Sequence, residues 1–141
     1  MPAQPDPVLM TNKDAGFYPT LGPYLARHDV HRVLGGVPWD EDTKTWIILK
    51  TPGGELRGFC AVNQSASRSR RTMLESLYTL PGHDDATDEL IRTAVKHFGH
   101  DRDLHAIVRH DIAPHHEKTG FHAVKTSTNM TTLVRPADIR T

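Results

Sequence analysis

TMLESLYTL-PGHDDATDELIRTAVKHFG, residues 72–99, is the stretch whose reading decides the fold. Thr72 to Leu80 reads as a strong strand, and Pro81-Gly82 ends it. From Asp84 to Phe98 the period changes. Ala86, Leu90, Ile91, Ala94, Val95 and Phe98 recur at helical spacing and fall on one face. Asp84, Asp85 and Asp88 crowd the start, where the helix dipole favours negative charge. Gly99 stops the helix. A strand running through a tight turn into a long amphipathic helix is a unit of an α/β sheet.

Working outward, the same logic orders the rest of the chain. Upstream, Thr45 to Lys50 (TWIILK) is rich in β-branched and aromatic residues and suits a strand. Thr51 to Glu55 (TPGGE) is a turn. Leu56 to Val62 (LRGFCAV) returns as the second arm of a hairpin, and the polar, basic stretch Asn63 to Arg71 is a loop. Before the hairpin, Phe17 to Leu34 suits one or two short helices. Pro23 is expected to start or kink a helix, and Gly35-Gly36 to end it. Val8 to Thr11 can form a short first strand. Residues 1–7 carry three prolines and read as an extended or disordered lead-in to a single domain over 8–141. Downstream, Leu104 to Val108 is a strand, Ala113 to Thr119 a short helix stopped by Gly120, and Phe121 to Val124 and Met130 to Val134 the last strands.

Composition excludes several function classes. The 141 residues carry 17 Lys plus Arg and 17 Asp plus Glu, so no global field draws the chain to nucleic acid or membrane. No apolar run approaches the roughly 20 residues of a membrane span. The first ten residues lack the basic start and apolar stretch of a secretory signal, so a cytoplasmic location is expected. Cys60 stands alone, which rules out an internal disulfide.

The element order is similar to that of the GCN5-related N-acetyltransferase (GNAT) superfamily. Three local matches carry the resemblance, over roughly residues 45–135. Gly58-Phe59-Cys60-Ala61-Val62 looks like the family's third strand. Leu77-Tyr78-Thr79-Leu80-Pro81 resembles the end of its fourth. His116-Glu117-Lys118-Thr119-Gly120-Phe121 resembles the Y-E-K-x-G-F element near its end. The resemblance implies a mixed, mostly antiparallel, splayed sheet with helices on both faces. It implies acetyl-CoA or another acyl-CoA between the fourth and fifth strands, with backbone groups near Tyr78, Thr79 and Leu80 holding the arm and polarising the thioester. One segment departs from the pattern. Where the family has an arginine- and glycine-rich loop that cradles pyrophosphate, this chain has Gly82-His83-Asp84-Asp85-Ala86-Thr87-Asp88. Only His83 there can be a cation, and the three aspartates would repel phosphates.

The candidate chemistry follows from residue types. His116 stands where the family places a tyrosine that protonates the leaving thiolate, and histidine exchanges protons near neutral pH; the bland reading is a solvated surface histidine. Glu75, an acid inside an apolar strand, is a candidate base for the incoming amine, or else sits on an exposed face or pairs with Arg71 or another strand. By strand alternation Ser76 and Tyr78 are expected on the opposite face from Glu75. Trp39, in the acidic stretch Trp39 to Asp42, and Arg70 and Arg71 are candidates for binding the acceptor. The basic run Arg68 to Arg71 also suits a nucleic-acid backbone, though a solvated loop explains it as well. The histidines around 105–116 lack a metal-ligand spacing, so no metal is expected. Three functions fit: an acyltransferase acting on a small-molecule or nucleobase amine, a DNA-base-modifying protein of the phage Mom type, and an inactive scaffold that only binds.

Overall fold

The computed structural model describes residues 4–34, 38, 40–64 and 71–139. The strands are β1 (Val8–Met10), β2 (Lys44–Lys50), β3 (Leu56–Gln64), β4 (Thr72–Thr79), β5 (Leu104–Arg109), β6 (His122–Thr126) and β7 (Met130–Arg135). The helices are α1 (Phe17–Leu25), α2 (His28–Leu34), α3 (Ala86–Phe98) and α4 (Ala113–Glu117). One seven-stranded sheet runs β1-β2-β3-β4-β5-β7-β6. Every pairing is antiparallel except β4 with β5. That parallel pair is held by just two matched positions, Thr72 with Leu104 and Met73 with His105. Beyond them the two strands separate, so the sheet is splayed toward their C-terminal ends.

Helices cover both faces. On one, α3 sinks Leu90, Ile91 and Ala94 against Ile47, Leu49, Cys60, Val62 and Leu74, and α4 adds Ala113. Fully burying a leucine such as Leu90 contributes roughly 1.5–3 kcal/mol. On the other face, Phe17, Leu21 and Val30 of α1 and α2 pack on Trp46, Ile48, Phe59, Ala61 and Tyr78. Alternation along β2 and β3 divides these two sets. Gly58 is needed where α3 crosses β3. A Cβ there would stand 2.8 Å from the Tyr78 carbonyl oxygen and 3.3 Å from the Leu90 side chain.

Three expectations change in the folded chain. Pro23 lies inside α1 rather than starting a helix, and α1 ends two residues later at Leu25. His31 Nε2 then lies 2.7 Å from the Leu25 carbonyl oxygen, so its N–H satisfies an acceptor at that helix end. The hairpin strand β3 continues through Asn63 and Gln64, which the sequence assigned to a loop. The third change concerns β4. Its register with β3 shifts between Phe59↔Tyr78 and Ala61↔Glu75, so Cys60 faces both Ser76 and Leu77. This is a β-bulge, and Ser76 takes φ 54° to make it. The extra residue reverses the alternation. Leu74 and Leu77 both pack toward α3, while Tyr78 joins the core under α1 and α2. Tyr78 is therefore on the same side as Glu75, not opposite it. The expected stop at Gly35-Gly36 lies outside the described residues.

Candidate active site

The splay between β4 and β5 opens a cleft of about 300 Å³. Glu75, Ser76, Leu77 and Thr79 line its β4 wall, and Ile107, Val108 and Arg109 its β5 wall. Thr87 of α3, with Ile112 and His116, closes the floor. The parallel pairing at the N-terminal ends of the strands holds the walls together, and the bulged residue Ser76 is part of the lining.

Glu75 is partly buried and has one carboxylate oxygen doubly partnered. Its Oε1 accepts from Lys44 Nζ at 3.0 Å and from Asn63 Nδ2 at 3.3 Å. Thr43 Oγ1 donates to Asn63 Oδ1 at 2.6 Å and fixes the amide. Lys44 is itself buried, with its ammonium 5.7 Å from the Trp46 ring centroid. The carboxylate is thus held in an ion pair supplied by β2, with an amide from β3 beside it.

His116 is the opposite case. It has no exposed surface, so the reading of a solvated surface histidine is overturned. Its Nδ1 lies 3.3 Å from the Ile112 carbonyl oxygen. A carbonyl only accepts, so Nδ1 carries the proton. The ring stands nearly perpendicular to that of Phe121, with centroids 5.3 Å apart. Nε2 is buried and has no hydrogen-bond partner among the described residues. Burial pushes the imidazole below its ordinary pKa; the Ile112 bond opposes this and neighbouring His115 adds to it.

The β4–α3 turn is tightly self-bonded. Leu80 N–H donates to Arg57 O, and the Leu80 carbonyl accepts from His83 N–H. Ala86 and Thr87 donate to His83 O and Asp84 O. These N–H groups close the turn rather than pointing at a ligand. Leu80 has both backbone groups engaged, and alternation turns the peptide groups of Thr79 away from β3, toward the cleft. The acids of the turn are also less free than their sequence suggested. Buried Arg57 pairs with Asp85 at 3.2 Å and Glu89 at 3.0 Å. Asp88 binds His115 at 2.8 Å and Lys118 at 3.2 Å. The His115 bond, chiefly, holds the Asp88 carboxyl below its usual pKa.

The fold brings Glu75, Thr79 and His116 to one cleft. Tyr78 is buried in the core beneath α1 and α2, and His83 sits in the turn beyond the strand end. Trp39, Arg68 and Arg70 lie outside the described residues. Arg71 is exposed at the paired end of β4 and does not line the cleft. Burial pushes the Cys60 thiol far up, so it is inert. Among the described residues no group of His, Cys, Asp or Glu is placed to hold a metal ion. No helix there is long and apolar enough to cross a membrane. Sequence reasoning missed Lys44 and Arg57. The available signal was a charge at the edge of, or inside, an apolar strand, which demands a buried counter-charge.

The sequence matches no family model and no curated protein. Its fold does have relatives. Spermidine N-acetyltransferase from Vibrio cholerae, solved with CoA and spermine, has a TM-score of 0.68 at 10% identity, over 91% of this chain and 94% of that one. ElaA from Escherichia coli gives 0.64 at 11% identity, over 92% and 98%. An acetyltransferase from Thermus thermophilus gives 0.60 at 23% identity, over 93% and 96%. The chain has the GNAT fold. Its cleft between β4 and β5 lies where that fold splays.

Proposed function

We propose that the cleft transfers an acyl group from an acyl-CoA-type thioester to an amine. The observation that carries this is Nε2 of His116, which has no partner among the described residues and is buried on the floor of an open cleft between splayed strands. A buried polar atom without a partner costs free energy, and such atoms cluster where a ligand completes them. An inactive scaffold would be expected to fill this space with side chains. The donor supplies an activated carbonyl and a good leaving group. The outward peptide groups of Thr79 would hold its arm and polarise that carbonyl. Glu75, held by Lys44, orients the amine at the β4 wall, and His116 moves the proton.

The arm end of the cleft fits such a donor. At the phosphate end the N–H groups of His83, Ala86 and Thr87 bond within the turn, and Asp84, Asp85 and Asp88 bring negative charge, which disfavours the family's usual cradle. Recognition therefore rests on the arm. Titration calorimetry with acetyl-CoA and with S-acetylpantetheine tests this: both bind, within about tenfold of each other. Thiol release is then followed over a panel of amines. Polyamines belong in the first panel, since the Vibrio cholerae neighbour was solved with spermine. No binding of either thioester at millimolar concentration would sink the proposal.

A further inference from the structure

Acyl transfer needs a proton removed from nitrogen and one delivered to sulfur. The cleft holds two ionisable groups suited to this, and they are not equally available. Glu75 has Oε1 committed to Lys44 and Asn63. His116 has Nδ1 committed to Ile112 O, and among the described residues the lone pair on Nε2 has no partner. In that tautomer Nε2 accepts a proton before it can give one, the reverse of the order expected of a residue that only protonates the leaving group.

We infer that His116 is a single proton shuttle: Nε2 takes the proton that the amine sheds and returns it to the departing sulfur. This rests on the acyl-transfer reading. The amine enters neutral. As the C–N bond forms, its extra proton passes to Nε2. As the C–S bond breaks, the electron pair goes to sulfur and the same proton follows it. The imidazole ends neutral, the products are an amide and a thiol, and no other proton carrier is required. Ile112 O stabilises the transient imidazolium through Nδ1–H, as an orienting acceptor does for other catalytic histidines.

The surroundings favour a neutral resting ring. The Phe121 ring stands nearly perpendicular to it, with centroids 5.3 Å apart. His115 lies beside it, tied to Asp88 of α3, which also holds Lys118. Across the cleft, Glu75 is balanced by Lys44 of β2, and Arg109 of β5 lies 3.7 Å from Asp111. No carboxylate bonds to His116 itself among the described residues. Burial, the leading influence on its pKa, disfavours the charged form.

The test has one arm free of any donor or acceptor. Nitrogen-15 NMR of the histidine-labelled full chain reads the tautomer. The expected result is Nδ1–H with bare Nε2 at pH 7, and titration below the ordinary value of about 6.5. A resting Nε2–H, or titration above that value, would overturn the shuttle. In the second arm, thiol release from acetyl-CoA with an accepted amine is compared among variants. His116→Phe keeps the ring against Phe121 and is expected to lose at least about 100-fold in kcat. Circular dichroism checks its fold, and His116→Gln, with the same expected loss, replaces it if it does not fold. His116→Tyr can donate but is a poor base at pH 7, and loses the rate as well. A tyrosine variant running at the wild-type rate would show that donation alone suffices and end the proposal. Acyl transfer by a chain with Nε2–H would overturn the shuttle alone; the expected tautomer with no thiol release for any amine would overturn the transfer reading, and the shuttle with it.

Discussion

The β4 wall and the α4 floor of the same cleft solve the burial of a titratable group in contrary ways. Glu75 on the wall is about a third exposed and has a cation and an amide at one oxygen. His116 on the floor is wholly buried and has one nitrogen with no partner among the described residues. The difference lies in what each group can become. A carboxylate taken from water keeps its charge only with a counter-ion. An imidazole can enter as a neutral ring, so it needs one acceptor and no counter-charge. The wall is consequently fixed electrostatically, while the floor retains chemical capacity.

Breaking the wall should have the largest effect on stability. Lys44→Met leaves Glu75 without its counter-charge and is expected to lower unfolding stability by about 2–3 kcal/mol, below the range for fully buried pairs because Glu75 keeps partial solvent contact. In urea unfolding, Lys44→Met combined with Glu75→Gln should recover about half of that loss. Strict additivity of the two changes would show that the pair is not coupled.

The bulge that joins wall to opening comes next. Ser76 occupies the left-handed region, which a β-branched residue tolerates poorly. Ser76→Val is expected to cost about 1–2 kcal/mol and Ser76→Gly close to nothing. Equal stability of the two variants would mean that the bulge has moved.

The floor makes a smaller, pH-dependent contribution. His116 has its pKa lowered in the fold, so below the ordinary histidine value the unfolded chain binds the proton more readily. Stability from this group is therefore full above about pH 6.5 and falls as the pH drops toward the folded value. His116→Phe should flatten that slope. His105, also lowered by burial and by Arg71, leaves a residual slope in both proteins. Identical slopes would contradict the neutral, buried ring.

The smallest effect is expected at the α3–α4 bridge. Asp88→Asn removes the charge shared by His115 and Lys118, at about 0.5 kcal/mol in low salt. The difference should vanish in about 1 M salt, where the screening length is only ~3 Å. A loss that persists in high salt would make the bridge a packing feature.

Much of the architecture was legible in the chain. The helical face of Ala86 to Phe98 and the hairpin around Thr51 to Glu55 depend on local periodicity and turn chemistry, and both formed. The short motifs at Gly58, Leu77 and His116 pointed to the fold that the structure has. The site was less legible. Glu75 and His116 were nominated, but their environments were not foreseen, because Lys44 is 31 positions from Glu75 in the chain and Ile112 matters only through a carbonyl. The three aspartates read as a repelling cluster. Arg57, from a strand almost thirty residues earlier, pairs with one of them, and Lys118, just past α4, pairs with another.

The sequence by itself determined where strands and helices form, since hydrophobic period, proline and glycine act over a few residues. It determined the two apolar faces, through alternation on β2 and β3 and the stripe on α3. Tertiary structure alone decided which side of the sheet Tyr78 occupies, because one extra residue at Ser76 reverses parity and no pattern marks it. It alone decided which acid is paired and which histidine is dry, because counter-charge and desolvation come from segments distant in the chain.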